Sequence, residues 1–119
     1  MAKLSAHGSE LFRYASERAR GLMAVMSDGT ILRRTPFSGG WKVYARKKAE
    51  VPLAAWTEQK KAFYDRLPEW AKVSTIPSET TLQHWMFDGV AETTTGDDIE
   101  PDGRGADGAP SWLLVLGLI

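Results

Sequence analysis

Apolar positions along the chain follow two rhythms, and the change from one to the other falls near Pro52. Before it, Leu22-Met23-Ala24-Val25-Met26 and Thr30-Ile31-Leu32-Arg33 flank Ser27-Asp28-Gly29. An Asp-Gly step between apolar runs supplies the positive φ angles of a tight turn, so this stretch predicts a β-hairpin. The next turn signal, Pro36-Phe37-Ser38-Gly39-Gly40, leads into Trp41–Arg46. Period-two alternation there sets Trp41, Val43 and Ala45 on one face and Lys42, Tyr44 and Arg46 on a wet, basic one. Leu11 to Ala15 fits an earlier strand, and a short helix fits nearly as well. Leu11 to Lys48 as a whole reads as an antiparallel meander.

After Pro52 the spacing lengthens: Leu53, Trp56, Lys60, Phe63 and Leu67 fall three or four apart, and proline suits a first helical turn. The spacing predicts an amphipathic helix over 53–67, ended by Pro68, with Trp70 packed just beyond. Ser78 is placed to cap a second helix from Glu79 through Leu82, Trp85 and Met86 to Phe87, stopping at Asp88-Gly89. From Glu92 to Pro110 the chain is acidic, rich in glycine and nearly without large apolar side chains, which reads as loop. Pro110–Ile119 is too apolar to lie in water and is expected to dock on the core as a short helix or strand. The expected architecture is α+β: an N-terminal antiparallel β-meander packed with two helices and a docked apolar C-terminus. One domain over 1–119 follows, divided into a basic meander (1–48), a helical segment (53–87), an acidic Gly/Pro loop (88–109) and an apolar C-terminal segment (110–119).

Length supports that single core, because two cores in 119 residues would each bury too little surface to be stable. Five tryptophans and 43% apolar residues suffice to fill one. The absence of cysteine excludes disulfides, thiolate metal sites and a cysteine nucleophile. Met1–Gly8 lacks the apolar segment of a signal peptide, and no apolar run reaches the roughly 20 residues of a membrane span, so the expected compartment is the cytoplasm. The formal net charge of zero hides an asymmetry: residues 1–72 sum to +7 and residues 73–119 to −7. Sorted charge of this kind either folds back on itself or leaves two faces for different partners.

Catalytic chemistry finds little to use. The only histidines are His7, expected in a mobile N-terminus, and His84 beside Trp85, which reads as a surface or half-packed side chain. Ser111 follows a proline at an expected helix start, where capping explains it, and no nucleophile elbow or phosphate-cradling glycine loop occurs. The expectation is no enzyme, no catalytic residue and no cofactor. Asp98-Ile99-Glu100-Pro101-Asp102-Gly103 spaces oxygen ligands as a calcium loop does, but the closing position holds Ala109 where a bidentate Glu belongs, so it reads as a solvated acidic turn and no metal is expected.

Two binding chemistries stand out. Asp97, Asp98, Glu100, Asp102 and Asp107 crowd into one segment with a single counter-charge at Arg104, and such carboxylates can compete with phosphates for the Arg and Lys of a basic surface. With Trp85 they form the candidate partner-binding set; the bland reading pairs the loop with the domain's own basic sheet. Alternatively Arg33, Arg34, Lys42, Arg46, Lys47 and Lys48, interleaved with aromatics, follow a nucleic-acid backbone. The partner expected is a host protein or ribonucleoprotein complex, with nucleic acid as the alternative and no membrane. Oligomeric state stays open, a homodimer included.

The opening Met1–Gly8 with Ser27-Asp28-Gly29 and Gly40–Tyr44, and the tail Ile99–Gly103 with Asp107–Leu113, resemble small uncharacterised proteins of proteobacterial mobile elements: plasmids, phages and integrated elements. The resemblance spans both ends of the chain and carries no catalytic assignment. It implies a binding protein of the anti-CRISPR kind, an inhibitor that blocks the nucleic-acid grooves or the assembly of a defence complex.

Overall fold

The computed structural model describes residues 4–119; of the opening segment quoted above, Met1–Lys3 lie outside the described residues. Four strands, β1 (Glu10–Ser16), β2 (Gly21–Met26), β3 (Thr30–Arg34) and β4 (Trp41–Arg46), form an antiparallel sheet in the order β1-β2-β3-β4. The hairpin expected at Ser27-Asp28-Gly29 joins β2 to β3. Gly29 takes φ +92, where an L side chain is strained, and its amide donates to the Met26 carbonyl at 3.2 Å. The ambiguous Leu11–Ala15 segment is strand β1, bulged at Leu11.

Every residue of β2 is buried, which explains its unbroken apolar run: both faces of this central strand are covered. On one face Tyr14, Met23, Val25 and Ile31 meet Trp56 of α1 (Leu53–Asp65). On the other, Ala24, Met26 and Leu32 meet Leu4 and Trp41, while Ala15 joins the C-terminal core of Leu82, Trp112, Leu113 and Val115. The second helix, α2 (Glu79–Asp88), starts at Ser78, whose hydroxyl accepts from the Thr81 amide at 3.2 Å, and stops before Gly89. A short helix, α3 (Trp112–Val115), docks the C-terminus as the apolar tail required. The α+β architecture is therefore as its pattern implied.

Three details differ. In α1 only Trp56 is buried, and Leu53 and Phe63 of the expected apolar stripe stay exposed. The N-terminus near His7 is pinned: His7 Nδ1 lies 2.9 Å from Asp28 Oδ2, and Ser9 and Ser27 exchange hydrogen bonds at 2.8 Å. The third concerns β4. Ile31 pairs with Ala45 but Leu32 pairs with Val43, so Tyr44 is an extra residue in a β-bulge. Alternation fails there: Trp41 packs beside Leu32, whereas Ala45 packs with Ile31 on the opposite face. The expected face of Trp41, Val43 and Ala45 does not exist.

Candidate functional site

The acidic segment is built, not loose. Strands β5 (Ala91–Glu92) and β6 (Asp98–Ile99) pair, and bridges Thr93 to Ser111 and Arg104 to Pro110 lay a second turn against the first. Strands this short cannot hold themselves, and hydroxyls do the bracing. Thr93 is fully buried; its Oγ1 accepts from the amides of Asp97 at 3.1 Å and Thr95 at 3.3 Å. Ser111, equally buried, caps α3 through the Leu114 amide at 3.0 Å and donates to the Pro101 carbonyl. Asp107 accepts from Thr95 Oγ1 at 2.8 Å and from the Ala109 amide at 3.0 Å.

This bracing separates Asp107 from its neighbours in role. Its carboxylate is spent on the turn, and those hydrogen bonds, Thr95 first and Ala109 next, hold its pKa below the usual carboxylate value. Asp97, Asp98, Glu100 and Asp102 are exposed and make no ion pair among the described residues. Among the described residues one ion pair joins the two oppositely charged halves, Arg104 to Glu17 at 2.6 Å, and its cation comes from the acidic half. Among the described residues, these four carboxylates are therefore not consumed by the protein's own arginines and lysines.

Trp85, placed in the partner-binding set, is partly buried against Leu82 and the C-terminal core, so packing holds it. The exposed apolar residues are its neighbours. Phe87 is 88% exposed, Met86 46% and Val90 52%. Met86 and Phe87 lie on the last turn of α2, and Val90 follows the left-handed Gly89 that ends the helix, from where the chain runs directly into β5. The signal was present: apolar residues at 82, 85, 86, 87 and 90 make a stripe too wide for one core-facing side.

The basic set divides. Arg33 and Lys42 lie opposite each other on the α1 face, whereas Arg34 pairs with Trp41 on the other, where Arg13 stacks over the Trp41 ring at 5.0 Å. The bulge sends Arg46 to that second face too, and Lys47 folds over Gly29. No single basic sheet face exists, because Arg33 and Arg34 alternate as strand neighbours do and the extra residue at Tyr44 reverses Arg46 relative to Lys42. Elsewhere, desolvation raises the Asp28 pKa, but hydrogen bonds from Thr30 and His7 more than offset it and lower it overall. Burial, with the nearby Tyr44 phenol, raises that of Tyr14.

Among the described residues no three His, Asp or Glu side chains converge on a point able to hold a metal ion, and no helix is long and apolar enough to cross a membrane. No protein-family model, curated protein or solved structure matches this chain.

Proposed function

We propose that this chain is a non-enzymatic binding protein that docks on a basic surface of a host protein or ribonucleoprotein complex. In its specific form the proposal is an anti-CRISPR-type inhibitor from a mobile genetic element, occupying the nucleic-acid groove of a defence complex. What supports the reading is Phe87, an aromatic ring almost wholly in water on α2, in a chain whose Asp97, Asp98, Glu100 and Asp102 are exposed and make no ion pair among the described residues. A large apolar side chain fixed in solvent is where binding energy concentrates at protein interfaces, and a charged surround selects the partner by sign. Because hydroxyls already brace the acidic turns, little ordering entropy is lost on docking.

The test uses the purified protein and the nucleic-acid-processing complex it retains from host lysate. Phe87→Ala, at an exposed position, leaves the unfolding midpoint in place and weakens binding by about 30-fold or more, the effect of removing an interface hot spot. Neutralising Asp97, Asp98, Glu100 and Asp102 to Asn or Gln abolishes inhibition and flattens its salt dependence. Inhibition unchanged by both variants overturns the reading.

A further inference from the structure

Arg33 and Lys42 stand directly across from each other on β3 and β4, and like charges in that relation repel. Neither side chain makes a hydrogen bond or ion pair among the described residues, and the cleft between them, about 170 Å³, is lined by Arg33, Thr35, Ser38, Lys42, Val43 and Tyr44, with no carboxylate. Arg33 is nevertheless held in place. Its side chain lies over Gly21, where an added Cβ would sit 3.1 Å from Arg33 Cγ and 3.2 Å from Nε, so glycine at 21 makes room for it. Its Nε is buried without a partner and its guanidinium lies 5.9 Å from the centre of the Tyr44 ring. A half-buried arginine held in place, facing an exposed lysine across the strands, with unused donors and no counter-charge in the cleft, is a site for an anion of fork-compatible shape.

The bulge identifies the anion's company. Tyr44 is the extra residue, 50% exposed, and it also borders an adjoining groove of about 490 Å³ lined by Tyr14, Phe63, Trp70, Arg18 and Glu17, the last paired with Arg104. Phosphate-binding cations that share a tyrosine with an aromatic groove, beside the open edge of the sheet, match what a flexible phosphodiester chain with stackable bases requires. We infer that the Arg33–Lys42–Tyr44 pocket binds a backbone phosphate of single-stranded nucleic acid, with Tyr44 stacking on the adjacent base. The site is separate from the surface of α2 and the acidic turns, and either stands if the other fails.

The test titrates the intact protein with a fluorescent oligothymidylate of about ten nucleotides, within the usual span of such grooves, and follows the Arg33 Nε–H resonance by NMR. The expected result is binding that weakens as salt rises, with the Arg33 resonance shifted on saturation. Lys42→Gln and Tyr44→Ala each weaken it by about tenfold, one stacking or phosphate contact apiece. Lys61→Gln on α1 leaves it unchanged, as does neutralising the four acidic residues. Arg33→Met gives the largest loss, and Lys42→Gln, at an exposed position, carries the test if that variant does not fold. Inorganic phosphate is the second probe. If it moves the Arg33 resonance at concentrations as low as the oligonucleotide does, the pocket takes a free phosphate and the nucleic-acid assignment falls. Oligonucleotide affinity unchanged in both Lys42→Gln and Tyr44→Ala overturns the site itself.

Discussion

The β-meander and the C-terminal unit after Gly89 are ordered by different chemistry. In the meander, β2 is buried along its whole length and its ladder neighbours repeat the same apolar contacts on both faces. The C-terminal unit owns two strands of two residues each and a four-residue helix, and individual hydroxyls and one carboxylate fix its path. Order from burial is redundant, since losing one side chain leaves its neighbours in contact. Order from single polar groups is not, because each buried amide has one partner and no substitute. The two candidate surfaces inherit this difference, one resting on the sheet and the other on the braced turns.

The largest effect comes where the C-terminal unit does use burial. Leu113 is fully buried, between the sheet's Ala15 and α2's Leu82, and it ties the two regions together. Leu113→Ala is expected to cost about 2–5 kcal/mol, the range for truncating a packed leucine. Urea unfolding followed by tryptophan fluorescence reads it. If the C-terminal unit is an appendage, a separate early transition emerges and β2 keeps its midpoint; a single shifted transition shows one cooperative core.

Next in size is Thr93→Val, which keeps the shape and removes the acceptor for two amides inside a buried site. The expected loss is roughly 1–3 kcal/mol, the penalty for leaving buried groups unsatisfied. Hydrogen exchange checks where it falls. The amides of Thr95 and Asp97 are expected to open faster while those of β2 keep their protection. Equal acceleration in β2 breaks the distinction between the two regions.

How much of this was legible follows the same division. Burial speaks through periodicity, so the meander, the Asp28-Gly29 turn, α2 with its Ser78 cap and the docking of Trp112–Leu116 were all readable from the order of apolar residues. The braced turns were not, since Thr93, Ser111 and Asp107 look like any polar loop residues until folding brings them onto particular amides. The bulge at Tyr44 was equally silent. It has no residue signature here, yet it moves Arg46 and Ala45 to faces opposite those expected and divides the basic set. Trp85 rather than Phe87 entered the partner-binding set for another reason: both agree with a helix, but only the position of the core decides which side of the helix is covered.

The smallest and most specific effect belongs to pH, because each region holds one aspartate with a lowered pKa: Asp28 at the β2–β3 turn and Asp107 in the C-terminal turns. A carboxylate whose folded pKa lies below its unfolded value, about 3.9, contributes stability that is fully present above that value and is lost as pH falls through the folded pKa. Both contributions therefore fade below about pH 4. They differ in consequence. Asp28 sits on a turn flanked by buried strands, whereas Asp107 holds Thr95 and the Ala109 amide in exposed turns whose other ties are single hydrogen bonds. On acidification the amides of Thr95 to Asp97 and Ala109 are expected to lose exchange protection before those of Thr30 and Ile31. Asp107→Asn reproduces that early loss at neutral pH and removes its pH dependence, while Asp28→Asn leaves the β2 amides protected. Simultaneous loss in the two regions would mean that the acidic turns draw their order from the sheet, and the surface bearing Asp97, Asp98, Glu100 and Asp102 would then be no more brittle than the strands beneath it.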